Sequence, residues 1–76
     1  MPGLGEPDVW PAIDIHLLDV IEVPRFGLYA RVTAFHVDHG LVELRWDDVT
    51  PGSHAIGISA YMPDAPIRLR PVGRAA

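Results

Sequence analysis

The stretch from residue 27 to residue 47, GLYARVTAFHVDHGLVELRWD, decides what this chain can fold into. Over residues 41–47 the side chains alternate: Val42, Leu44 and Trp46 share one side, and Leu41, Glu43 and Arg45 share the other. Period-two alternation with β-branched and aromatic residues marks a half-buried strand. Residues 29–37 are equally rich in strand formers, but their alternation slips. Val32 and Ala34 prefer one face, whereas Phe35 and Val37 prefer the other. A β-bulge near Ala34 absorbs one residue and supplies the bend that a small barrel needs. Between the two runs, Gly40 can take positive φ without a Cβ clash, and Asp38 can bond its own backbone. The spacing therefore predicts a β-hairpin on which the rest of the chain closes.

With 76 residues the chain makes one domain, and a domain of that size buries only about 60% of the surface its unfolded form exposes. There is no cysteine, so neither a disulfide nor a thiolate metal site can staple it. Hydrophobic residues make up 49% of the chain, so part of the apolar surface is expected to face a protein partner or a second copy. No run approaches the roughly 20 apolar residues of a membrane span, and no basic-then-apolar leader opens the chain. The expectation is a cytoplasmic protein with no membrane contact.

Charge is unevenly placed. Glu6, Asp8, Asp14, Asp19 and Glu22 precede the first arginine, and there is no lysine anywhere. A net charge of −4 repels a phosphate backbone as a whole, although a local arginine patch can still bind one.

Along the chain, residues 1–8 read as a flexible lead-in, 9–72 as the single domain, and 73–76 as a fraying tail. Residues 12–23 are ambiguous. Ile13, Ile15, Leu17, Ile21 and Val23 alternate, with a break at Leu18-Asp19, which favours strand; Leu17, Leu18 and Ile21 also fit one helical face. Residues 54–61 form a further strand with Ile56, Ile58 and Ala60 on one side, and Gly57 within it signals a bulge or a close neighbour. Residues 67–70 alternate as a closing strand that Pro71 ends. Short strands separated by turn formers indicate an all-β fold, a small barrel or roll of four to six antiparallel strands.

Over residues 19–72 the chain resembles SH3-like small barrels, through VIEVPRFG, the bulged YARVTAF strand, GLVELRW and the closing APIRLR strand. It is also similar to small proteins of high-GC bacteria and their phages that combine a VxV-type strand, a glycine hairpin and a final xPVxLx strand. The resemblance implies a fold used mostly for binding peptides, proteins or nucleic acid.

No constellation carries catalysis. His36, Asp38 and His39 flank the turn and Asp47-Asp48 lie across the hairpin, but two histidines three apart without a second spaced pair read as polar turn residues rather than metal ligands. Ser53-His54 with the same aspartates contains the side-chain types of a hydrolytic triad. Adjacent residues on a strand point to opposite faces, however, so Ser53 and His54 cannot act as nucleophile and base. Neither an enzyme nor a cofactor is expected.

The leading reading is a non-enzymatic protein-interaction module that binds itself or a protein partner. Its contact residues are expected to be Trp10, Ile13, Ile15, Leu18, Tyr29 and Tyr61, on an N-terminal arm and an exposed edge strand. The alternative is a nucleic-acid-binding regulator in which Arg31, Arg45, Arg68 and Arg70 line up beside a tyrosine. The aromatics Tyr29, Phe35, Trp46 and Tyr61 could also form a cage or a peptide groove, although Trp46 is expected in the core.

Overall fold

A computed structural model describes residues 9–70, so the lead-in 1–8 and the tail lie outside the described residues. The fold is all-β. Its strands are β1 (Val9–Pro11), β2 (Val20–Val23), β3 (Leu28–Asp38), β4 (Leu41–Asp48), β5 (Ile56–Tyr61) and β6 (Pro66–Arg68), with 3₁₀ turns at Ala12–Asp14 and Pro24–Phe26. Strands β2-β3-β4-β5 form an antiparallel meander, and β1 pairs with β6. An Ile21↔Leu69 bridge and a 2.9 Å bond from the Arg70 N–H to the Val20 carbonyl join the two sheets. The order is thus β1-β6-β2-β3-β4-β5. It rolls up without closing, because no described strand pairs the outer side of β5.

The hairpin β3-β4 is the frame. Asp38 pairs with Leu41, and the two residues between them, His39 and Gly40, have φ of 53° and 76°. Both signs are positive, as in a type I′ turn, whose twist matches that of the flanking strands. The register shifts between Val32 and Ala34. One residue is absorbed there, and Phe35 and Val37 then lie opposite Leu44 and Val42 on the side where Val32 lies opposite Trp46. The slip in the sequence is therefore a bulge that re-phases the strand onto one core.

That core contains Ile21, Val32, Val42, Leu44, Trp46, Ile67 and Leu69. Residues on the opposite side of the meander face outward, except Val20, which is buried. By register they form rows across the strands: Arg68, Glu22 and Tyr29; then Arg70, Val20, Arg31, Asp47 and Ile56; then Ala34, Arg45 and Ile58; then His36, Glu43 and Ala60.

Residues 12–18 are neither strand nor α-helix. Ala12 and Ile13 donate their N–H groups to the carbonyls of Ala65 and Pro63, at 2.9 and 3.0 Å, which latches the first 3₁₀ turn onto the β5-β6 connection. Leu18 sits at φ 72°, and the buried Asp19 carboxylate accepts the His16 N–H at 2.8 Å to close the turn ahead of β2. The alternation there was misleading because Ile15 is core while Ile13 and Leu17 stay exposed. No helix among the described residues is long and apolar enough to cross a membrane.

Candidate interaction edge

Strand β5, IGISAY, has one edge that no other described strand pairs. The Asp48 N–H donates to the Ala55 carbonyl at 2.9 Å, which fixes the phase of the β4-β5 ladder. Bonded and non-bonded pairs alternate in an antiparallel ladder. Gly57, Ser59 and Tyr61 therefore turn their backbone groups toward β4, and Ile56, Ile58 and Ala60 turn theirs outward. Natural sheets blunt such edges with lysine, proline or inward charge. β5 carries none of these. Its outward-facing side chains are apolar and open, with Ile56 80% and Ile58 49% exposed.

Tertiary contacts shape the other side of β5. Gly57 lies opposite Trp46, and a Cβ built on it would stand 2.4 Å from Cζ2 of the indole. The glycine is there because the ring occupies that space; the ladder runs through it without a bulge. The Trp46 indole N–H donates to the Ser59 hydroxyl at 3.0 Å, and Phe26 tilts over the ring at a centroid distance of 5.9 Å. Phe26 itself stays exposed, with the Arg25 guanidinium 5.8 Å from its centroid.

Pro24, Arg25 and Phe26 thus stand across a groove from Ile58 and Tyr61. Pro24 and Tyr61 also line a second hollow with Val9, Glu22 and Arg68, so the groove continues along the seam of the open roll. At that end Arg68 Nε lies 3.5 Å from the Glu22 carboxylate.

The contact residues read from the sequence are not brought together. Trp10 is partly exposed on β1, opposite the buried Ile67; Ile13 is on the first 3₁₀ turn; Leu18 is on the turn before β2; Tyr29 is in the outward row with Glu22. Ile15 is buried in the core, where it anchors its turn and cannot meet a partner. Tyr61 alone of the six lines the groove. Phe26, Ile56 and Ile58 went unrecognised as surface residues. The signal was the charge-free IGISAY run, but period two shows only that Ile56 and Ile58 share a face, not that the face and the edge are open.

The four arginines of the alternative reading do share the outward side, yet Glu22, Asp47 and Glu43 alternate with them in the rows above. No uninterrupted basic stripe forms. Nor do the four aromatics make a cage: Trp46 is buried, Phe35 packs against the core edge and Tyr29 faces away.

In the β4-β5 loop, Asp48 is the structural pivot. Its carboxylate accepts the Thr50 N–H at 2.9 Å, and that bond, with the hydroxyls of Thr50 and Ser53, holds it below the ordinary value of 3.8. Ser53 thus serves a loop cap and has no bond to His54. Among the described residues no three His, Cys, Asp or Glu side chains converge as metal ligands would. No family model, curated protein or solved structure matches the chain.

Proposed function

We propose that this protein is a non-enzymatic interaction module that recruits an extended strand, from a protein partner or from itself, onto the free edge of β5. One observation carries the reading: a six-residue strand with no charge and no proline leaves Ile56, Ile58 and Ala60 with their edge groups outward, beside a groove lined by Pro24, Arg25, Phe26 and Tyr61. Strand addition draws affinity from backbone bonds and selectivity from alternate side chains, and the edge offers both.

Selection of extended peptides from a random library on the immobilised chain tests the reading. Selected peptides are expected to shift the amide resonances of Ile56, Ile58 and Ala60. They should lose binding to an Ile58→Pro chain, since that proline removes an edge donor and no ladder bond. Binding that ignores Ile58→Pro, shifts confined to another surface, or no selectable peptide would overturn it.

A further inference from the structure

We infer that the occupant of the β5 edge is a second copy of β5, antiparallel about a two-fold axis at Ile58, so that two meanders join into one continuous sheet. This rests on the edge reading above and specifies its partner.

The phase of the strand restricts the register. Only residues whose backbone groups point outward can exchange bonds across the new edge, and these are Ile56, Ile58 and Ala60. A two-fold axis at Ile58 sets Ile58 against Ile58 of the second copy and Ile56 against Ala60 on either side. All three outward positions of each strand are then used, and each facing pair can exchange two bonds. Pairing the six residues of the strand end to end would instead set outward groups against inward ones, so that register is excluded.

The side chains agree with this arrangement. Every facing pair on the outward side is apolar, and the joined strands carry no charge. Arg25 lines the groove beside Ile58, and the charged side chains of β4, Glu43, Arg45 and Asp47, sit one strand back. Two copies of them are held apart by three strand spacings, about 14 Å, which exceeds the roughly 8 Å screening length at physiological salt. Groove geometry fits as well. Pro24, Arg25 and Phe26 line the groove with residues 58–61 of β5. The two-fold axis brings opposite that half the earlier half of the other strand. The two Pro24–Phe26 turns then lie on opposite sides of the axis and do not meet.

A contact limited to one strand pair falls in the small-interface class, below about 1,200 Å², so a dissociation constant on the order of tens of micromolar is expected. Sedimentation equilibrium of the full chain from roughly 1 to 500 µM brackets that value. The parent chain is expected to dimerise. Ile58→Glu gains Arg45 as a cross-strand neighbour within its own fold, yet it sets two glutamates directly opposite each other at the axis, their Cα atoms about 5.5 Å apart, and should weaken the dimer roughly tenfold or more. Mixing Ile58→Glu with Ile58→Arg should restore a heterodimer, with circular dichroism confirming that both chains are folded.

A parent chain that is monomeric throughout, or a dimer indifferent to Ile58→Glu with no preference for the mixed pair, would overturn the inference. If selected peptides still bind the edge of such a monomer, the edge reading stands without it; if they do not, both fall.

Discussion

Replacing Gly57 with alanine puts the packing around β5 to a stringent test. The added Cβ would lie 2.4, 2.6 and 2.9 Å from Cζ2, Cη2 and Cε2 of Trp46. Ordinary contact begins near 3.4 Å, so the ring must retreat by about 1 Å. It has little freedom to do so. Its N–H is bonded to Ser59, Phe26 covers it, and it is buried among core residues. Overpacking of this kind costs about 1–3 kcal/mol, and losing the indole–hydroxyl bond adds about 1 kcal/mol. Alanine recovers about 0.5–1 kcal/mol by restricting the unfolded chain.

The net loss is about 2 kcal/mol, which for a domain of this size lowers Tm by roughly 8–16 °C. Thermal unfolding followed by far-UV circular dichroism and tryptophan fluorescence measures it. Ser59→Ala should cost only about 1 kcal/mol. The double variant should fall short of the sum, because the same bond is lost in both. A Gly57→Ala chain as stable as the parent would refute the claim that the indole occupies that space.

Three further outcomes follow from particular residues. Asp48 has a depressed folded value, so its contribution to stability is present above its unfolded value of 3.8 and is lost as pH falls through the lower folded value. Asp48→Asn should therefore lower the urea midpoint at pH 7, and the gap to the parent should narrow on acidification below pH 4. A gap that widens there would contradict the loop assignment. His39 occupies the first positive-φ position of the type I′ turn, so His39→Asn should raise stability by about 0.5 kcal/mol, visible as a small rise in Tm. Leu18 is 68% exposed at φ 72°, a conformation costly for leucine. Leu18→Asn should stabilise by about 1 kcal/mol in urea titration, and no change would mean that the side chain makes a contact offsetting the strain.

The hairpin was legible in the sequence because each of its signals is local. Alternation over residues 41–47, the slip at Ala34 and the glycine at 40 specify strand, bulge and turn without reference to anything distant. Residues 12–18 were not legible. Their apolar residues alternate by coincidence, and the carbonyls of Pro63 and Ala65, some fifty residues away, capture the backbone into a 3₁₀ turn. Gly57 was half legible: its composition announced a bulge or a neighbour, and only the packing of Trp46 chose between them.

By itself, the sequence determined an all-β chain, its strands' alternating faces, and a core built on Val42, Leu44 and Trp46. Tertiary structure alone decided that β6 returns to β2, that no described strand covers the outer edge of β5, and that Phe26 and Pro24 stand beside it. The physical reason is that period two assigns side chains to two faces at no cost in chain length. Which strand covers which edge depends instead on contacts between residues far apart in the chain, which no local pattern encodes.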